Sequence, residues 1–475
     1  MQTSEYAVRD GTGLAELVRS KQVKRVELVE AAIEIAERRN PEINSICFKA
    51  YDQALALANK QDDGGGTDGP LEGVPMLLKD LNGEVEGWPE LKGCRALADY
   101  VSPHTTNLVK RYFEAGLNPI GKATTPEFGL IAVTESDAYG DTRNPWNLNH
   151  TPGASSGGSA ASVAAGIVPI AHANDGGGSI RIPASCSGLV GMKPSRGRMP
   201  QGPLGALAFD LGMEHVVTRS VRDSALVLDA THGEDPGAPY VAPITSGTYL
   251  SAVTTAPPKL RVAFSTDYWT NGGPIHQECV AAVQNTARIL EELGHAVEET
   301  RPQVDYGAVT QSFMAVWTSM AAASVDSISS DPNLDQFEQS TLDLAGLGRK
   351  VSGGQLVSAR EHLLSLGRLM SRFHDTYDIY VTTVLGTPPI KIGDWRRDTA
   401  FVPDDDIQGQ FMLCSPVANA TGQPSISLPL HMTQDGLPVG VMITAAYGRE
   451  DLLYQIAGQL EEALPWADRT PPNWA

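Results

Sequence analysis

Residues 151–198 of this 475-residue chain are dominated by glycine, alanine and serine, and they constrain the fold more than any other stretch. A protein core is normally filled with large aliphatic side chains at high packing density. So many small side chains in one place predict backbones that pack very closely, or backbone amides that face a ligand. Both arrangements are typical of an active site.

Within this stretch, Gly176, Gly177 and Gly178 lead directly into Ser179. Glycines let the main chain curl so that several N–H groups point at one spot, which is the geometry that an oxyanion requires. The motif therefore predicts a nucleophilic serine on a turn, with the N–H groups of all four residues as candidate oxyanion donors. A Gly-rich loop can also merely turn the chain or cradle a phosphate, and that alternative stays open from this motif alone.

Several motifs resemble those of the amidase signature family. Residues 154–158 correspond to its GGSSGG motif, residues 175–184 to its DxGGSxRxPA motif, and residues 191–194 to its GxKP-type tail. An apolar run that ends in Lys-Asp, at residues 74–80, corresponds to its VPxxxKD strand. The resemblance covers almost the whole chain and is weaker only across residues 230–375.

The resemblance implies a Ser-Ser-Lys triad in which Ser179 is the nucleophile, Ser155 relays protons and Lys79 is the base. It also implies a cis peptide bond between Ala154 and Ser155. To act as a base, Lys79 must be neutral well below its ordinary pKa of about 10.4. Burial among small residues would produce this change, because burial disfavours the charged ammonium.

Three further residues are expected to support the site. Asp175 and Arg181 flank the Gly-Ser turn, and we expect a structural ion pair between them rather than a direct part in the chemistry. Ser156 directly follows Ser155 and belongs to the same Gly-Ser cluster.

A histidine-based triad is the competing interpretation. His104, His150 and His172 lie near these motifs, and one of them could act as the base for Ser179. However, the residues around Ser179 do not form the GxSxG elbow that is typical of such hydrolases.

Alternating helix and strand patterns predict an α/β fold. The resemblance implies a central mixed, mostly parallel β-sheet surrounded by helices, in one amidase domain over residues 1–475. We expect an N-terminal helical arm at residues 1–60, the signature core at 70–230, a variable helical region that lines the substrate funnel at 304–377, and the rest of the core at 378–475. Within the arm, the helical pattern is expected to stop at Asn40 and Pro41.

Composition excludes several classes of partner. The chain has 36 Lys and Arg against 56 Asp and Glu, a formal net charge of -20, which argues against binding to nucleic acid or anionic membranes. Its five cysteines are scattered without CxxC spacing, so neither a disulfide framework nor a zinc site is indicated. With no apolar run of about 18 residues, we expect a cytoplasmic enzyme, a monomer or homodimer, that needs no metal or organic cofactor.

The expected function is hydrolysis of an amide, aryl amide, carbamate or ester bond through an acyl-enzyme. Two departures from the family motifs are Ala154, in place of a glycine, and the Ala-Asn-Asp-Gly-Gly-Gly-Ser form of residues 173–179. This form resembles members that act on nylon-type cyclic amides, aryl amides and urethanes. The alternative is a glutamine-amidotransferase A-type subunit, which shares the signature but acts only within a complex.

Overall fold

The computed structural model describes residues 1–205, 207–267, 274–328, 334–395, 411–413 and 415–475. Parts of the predicted regions 304–377 and 378–475 therefore lie outside the described residues. The helices are α1 (Thr3–Ala7), α2 (Gly11–Arg19), α3 (Arg25–Ile43), α4 (Tyr51–Lys60), α5 (Asn107–Glu114), α6 (Gly157–Ala164), α7 (Arg181–Ser187), α8 (Val221–Thr231), α9 (Tyr249–Val253), α10 (Gln277–Glu292), α11 (Tyr306–Ile328), α12 (Gln339–Gly348), α13 (Gly353–Phe373), α14 (Ser415–Thr421) and α15 (Glu450–Ala463). The strands are β1 (Ile46–Lys49), β2 (Pro75–Lys79), β3 (Asn118–Ala123), β4 (Glu135–Ser136), β5 (Gly140–Asp141), β6 (Ile170–Asp175), β7 (Val190–Lys193), β8 (Met213–Thr218), β9 (Arg261–Phe264), β10 (Ala296–Glu299), β11 (Ile379–Thr383), β12 (Ser425–Met432) and β13 (Pro438–Ala445).

One large sheet organises the described part of the chain. Its eleven strands run in the order β1-β3-β2-β6-β8-β7-β12-β13-β11-β9-β10. Strands β3, β2 and β6 pair in parallel on one flank, as do β11, β9 and β10 on the other. The pairs from β6 through to β11 in the middle, and the outer pair of β1 with β3, are antiparallel. The predicted α/β fold with a mixed sheet among helices is confirmed; among the described strands of this sheet, six pairs are antiparallel and four are parallel.

Strands β2 and β6 determine where the functional residues meet. Because the two strands are parallel neighbours, their carboxyl ends reach the same edge of the sheet. Strand β2 ends at Lys79, and β6 ends at Asp175, immediately before the Gly-Ser turn. Both strands are buried along their whole length.

Helix α6 explains why the central stretch is so rich in small residues. Every one of its residues is buried. A methyl group added at Gly158 would lie 2.4 Å from the Thr124 backbone nitrogen and 2.7 Å from the Ser45 carbonyl oxygen. Only glycine permits backbones to approach this closely, so the small side chains serve close packing, as the sequence predicts.

The end of helix α3 differs from the expectation. The helix passes through Pro41 and ends only at Ile43, followed by Asn44 in the left-handed region with φ 50°. The Asn40 side-chain oxygen accepts hydrogen bonds from the backbone N–H groups of Ser45 and Ile46, both at 2.8 Å. These bonds fix the turn after the helix, and Asn44 is a residue type that tolerates a left-handed cap. The predicted stop at Asn40 and Pro41 is therefore wrong.

In the ranges that the structure describes, no helix combines the length and apolar character needed to cross a membrane.

Candidate active site

Lys79 and Ser155 are in direct contact at the carboxyl edge of the sheet. The Lys79 Nζ donates hydrogen bonds to the Ser155 Oγ and to the Asn174 Oδ1, each at 2.6 Å. The Asn174 amide nitrogen in turn donates to the Leu81 carbonyl oxygen at 2.8 Å, which fixes the orientation of the side chain. Asn174 was not among the predicted site residues. The only sequence signal for it was the departure of residues 173–179 from the usual motif.

Burial governs the protonation of Lys79. The side chain is completely shielded from solvent, and burial lowers the pKa of Lys79 to about 7. Negative charges at Glu214, Asp175 and Glu90 act in the opposite direction and raise this pKa. A large fraction of Lys79 is therefore neutral near pH 7, and a neutral amine can accept a proton.

The segment that carries Ser155 is tightly packed. The Ala154–Ser155 peptide bond is cis, as the resemblance implied. The Thr125 hydroxyl donates to the Ser155 carbonyl oxygen at 2.9 Å. A methyl group at Gly129, where φ is +69°, would lie 2.9 Å from the Ser155 Oγ, so only glycine leaves room for this hydroxyl. Ser156 faces the other way and forms hydrogen bonds of 3.3 Å with the backbone of Asn174.

Ser179 lies in the Gly-Ser turn with an unoccupied hydroxyl. Within the described ranges, its Oγ makes no hydrogen bond, and neither do the backbone N–H groups of Gly176, Gly177 and Ser179. Gly178 differs from the expectation, because its N–H donates to the Asp175 Oδ1 at 2.7 Å. Three of the four predicted oxyanion donors therefore remain available, and the fourth shapes the turn.

Asp175 and Arg181 form the predicted ion pair. The Arg181 Nε and Nη2 donate to the two Asp175 carboxylate oxygens at 2.9 Å each, and both side chains are completely buried. Burial by itself would raise the pKa of Asp175, but the charge and hydrogen bonds of Arg181 hold that pKa below its usual range. The carboxylate also accepts the N–H groups of Gly178 and Ile180. The pair thus fixes the turn that carries Ser179.

Two side chains from the C-terminal part of the chain complete this support. The Asn419 amide donates to the carbonyl oxygen and to the carboxylate of Asp175, both at 2.8 Å, and its oxygen accepts from Arg181 at 2.6 Å. The Ser415 hydroxyl donates to the Gly177 carbonyl oxygen at 2.8 Å. A local pattern does not predict the contact between Asn419 and Asp175, since the two residues lie 244 positions apart.

Two aromatic side chains of α11 contact the glycines of the turn. A methyl group at Gly176 would lie 3.1 Å from the Trp317 ring, and one at Gly177 would lie 3.1 Å from the Phe313 ring. The two rings are stacked, with centroids 5.5 Å apart and an interplanar angle of 18°. The Trp317 Nε1 donates to the Leu130 carbonyl oxygen at 3.2 Å, which holds the ring in place.

Two of the three candidate histidines lie next to carboxylates rather than Ser179. The His172 Nε2 lies 2.7 Å from the Glu214 carboxylate, and its Nδ1 faces the Lys79 backbone N–H at 3.3 Å. His104 lies 3.2 Å from Glu84. In the described part of the chain, none of the three, His150 included, is hydrogen-bonded to Ser179. The described residues also contain no group of three His, Cys, Asp or Glu side chains placed to hold a metal ion.

Comparison with known proteins gives consistent matches. The sequence profile of the family described as Amidase matches residues 27–454. The 6-aminohexanoate-cyclic-dimer hydrolase of Paenarthrobacter ureafaciens is 36% identical, over 98% of this chain and 96% of that protein.

Solved structures match over nearly the full length. A structure of 6-aminohexanoate cyclic dimer hydrolase has a TM-score of 0.92 at 34% identity, covering 98% of this chain and 99% of that one. A bacterial aryl acylamidase of the amidase signature family has a TM-score of 0.87 at 28% identity, with 97% of each chain covered.

Proposed function

Because this chain belongs to the amidase signature family and is a hydrolase of amide bonds, we propose that it works through a Ser179–Ser155–Lys79 triad and an acyl-enzyme. The observation that carries the proposal is the 2.6 Å contact between the Lys79 Nζ and the Ser155 Oγ. Among the described residues, neither the Ser179 hydroxyl nor the N–H groups of Gly176, Gly177 and Ser179 make hydrogen bonds, which supports the role of Ser179 as the nucleophile.

Acylation begins with a proton transfer through Ser155. Neutral Lys79 accepts the Ser155 hydroxyl proton while the Ser155 oxygen takes the proton of the Ser179 hydroxyl. The Ser179 oxygen then bonds to the substrate carbonyl carbon, and the carbonyl electron pair moves onto its oxygen. The N–H groups of Gly176, Gly177 and Ser179 stabilise the resulting oxyanion.

The tetrahedral intermediate then collapses to the acyl-enzyme. Lys79 returns its proton through Ser155 to the leaving nitrogen as the C–N bond breaks, so the amine leaves in its neutral form. In the second half of the reaction, a water molecule attacks the carbonyl carbon of the Ser179 ester. The same relay accepts the proton of that water and returns a proton to the Ser179 oxygen. The products are a carboxylic acid and an amine, and the triad returns to its initial state.

We propose aryl amides, nylon-type cyclic amides and aryl carbamates as the preferred substrates, with ester hydrolysis as a side activity. The stacked rings of Phe313 and Trp317 beside the Gly-Ser turn favour flat or apolar groups. A carbamate reacts at the same kind of carbonyl carbon. Hydrolysis of its acyl-enzyme regenerates the Ser179 hydroxyl and releases a carbamic acid or carbonic acid monoester, which then loses carbon dioxide.

A panel of p-nitroanilides, small alkyl amides, aryl carbamates, esters and 6-aminohexanoate cyclic dimer, assayed with the purified chain alone, tests this function. We expect turnover of aryl amides without any partner protein. An absolute requirement for partner subunits and a glutamine donor would favour the amidotransferase alternative and contradict the proposal.

A further inference from the structure

A buried His172–Glu214 pair lies directly behind Lys79. Strand β6 carries His172, and the neighbouring antiparallel strand β8 carries Glu214. The His172 Nε2 and the Glu214 Oε2 are 2.7 Å apart, and both side chains are almost fully shielded from solvent. The other ring nitrogen faces the backbone N–H of Lys79 itself.

The hydrogen bonds determine the tautomer of His172. Its Nδ1 accepts from the Lys79 N–H at 3.3 Å, so this nitrogen carries no proton. The ring proton is therefore on Nε2, which donates to the Glu214 carboxylate. Protonation of Nδ1 would bring two N–H groups face to face, which the contact with the Lys79 N–H disfavours.

Among the described residues, the Glu214 carboxylate has no Lys or Arg partner, which distinguishes it from the other carboxylates near Lys79. Asp175 is paired with Arg181, and Glu90 is paired with Lys122.

Asp80, beside Lys79 in the sequence, lies 3.6 Å from the same Lys122 ammonium. Among the described residues, the Glu214 side chain is hydrogen-bonded to His172 and to the Asn82 amide, the latter at 3.3 Å.

We propose that Glu214, held by His172, is a positioning residue whose buried negative charge sets the pH at which Lys79 becomes a base. The proposal rests on the proposed function, in which Lys79 is the base. Burial lowers the pKa of Lys79 and so favours the neutral amine. A nearby carboxylate raises this pKa because it favours the ammonium. Of the charges that raise the pKa of Lys79, that of Glu214 has the largest effect. Without it, Lys79 would be too weak a base to take the Ser155 proton efficiently.

The pH dependence of kcat/KM for a p-nitroanilide tests the proposal. Glu214→Gln keeps the size and the hydrogen-bonding ability of the side chain but removes its charge. We expect the acid limb of the profile to move down by about one pH unit, the lower end of the effect of a nearby charge. Glu214→Asp retains the charge and should leave the limb close to that of the wild type.

Glu84→Gln is the matched control. Glu84 is also a buried carboxylate next to a histidine, 3.2 Å from His104, but it is not among the charges that act on Lys79. The acid limb of the pH profile of Glu84→Gln should coincide with that of the wild type. The pH dependence of Ser179 labelling by a fluorophosphonate should shift in parallel with kcat/KM in Glu214→Gln.

Circular dichroism shows whether the Glu214→Gln protein is folded. If it is folded and the acid limb of its pH profile is unmoved, the inference is wrong. If that variant does not fold, Asn82→Asp adds a carboxylate beside Glu214 and should move the acid limb upward; an unchanged limb would again overturn the inference.

Loss of activity in Lys79→Ala separates this inference from the proposed function. If Lys79→Ala stays active, the proposed function fails; if it is inactive and the Glu214 limb is unmoved, only this inference fails.

Discussion

The Lys79 Nζ lies 2.6 Å from the Ser155 Oγ, and both side chains are almost completely shielded from solvent. Because burial lowers the pKa of Lys79 to about 7, the amine can take a proton from a hydroxyl that would otherwise be a poor relay. The protein thus places the proposed base and the proposed relay in contact at the carboxyl edge of its sheet.

Substitution of Lys79 should separate amide from ester hydrolysis. Lys79→Ala removes the base, so we expect amide kcat/KM to fall by about 10² to 10⁴, the usual contribution of acid–base catalysis. Ester hydrolysis should fall less, because an alcohol leaving group needs a proton less than an amine does. Lys79→Arg should not restore activity, since a guanidinium is not deprotonated at usable pH. Parallel assays of a matched anilide and ester measure the ratio, and an unchanged ratio would contradict the role of Lys79.

Lys79 should also lower the stability of the fold in a pH-dependent way. Its pKa is about 7 in the folded state and about 10.4 in the unfolded chain. The unfolded state therefore binds more protons between these values, and stability rises with pH across that window. Relative to Lys79→Met, the wild type should gain about 4 kcal/mol of unfolding free energy between about pH 7 and 10.5. Urea denaturation at several pH values measures this difference, and parallel curves for the two proteins would refute it.

Arg181→Met should strongly destabilise the protein. It leaves the Asp175 carboxylate buried without its cation, and such a loss costs about 3 to 5 kcal/mol. Arg288→Met is the control, because both side chains of the Arg288–Glu292 pair are exposed and surface pairs contribute only about 0 to 1 kcal/mol. Equal losses in guanidinium denaturation would show that the buried pair has no special role.

Trp317→Ala should change substrate preference rather than the chemical step. The Trp317 ring contacts the turn at Gly176, so its removal should lower kcat/KM for p-nitroanilides about tenfold, a loss of about 1.4 kcal/mol. Small alkyl amides, which are too short to reach the ring, should be almost unaffected. Steady-state assays of both substrates with the same preparation give the ratio, and an equal loss on both would mean that Trp317 acts only on the fold.

The sequence predicted those parts of the site that single segments encode. Lys79, Ser155 and the Asp175–Arg181 pair each belong to a short motif, and the structure brings them to one edge of the sheet. The role of Asn419 was not predictable, because nothing in a local pattern tells which distant side chain will reach Asp175.

Other details depend on geometry that a residue pattern does not fix. The N–H of Gly178 points to Asp175 instead of the free space beside Ser179, and this follows from the dihedral angles of the turn. The sequence leaves His172 open as a base for Ser179, but the register of β6 on β8 places His172 next to Glu214. Helix α3 continues through Pro41 to Ile43, and the turn beyond it depends on hydrogen bonds from the Ser45 and Ile46 N–H groups to the Asn40 side chain.

Covalent labelling of the purified protein with a serine-directed fluorophosphonate, followed by peptide mass spectrometry, tests the central claim most directly. The account predicts one adduct per chain, on Ser179, with labelling abolished in Ser179→Ala and strongly slowed in Lys79→Ala. An adduct on Ser155 or Ser415, or undiminished labelling of Ser179→Ala, would contradict the assignment of Ser179 as the nucleophile.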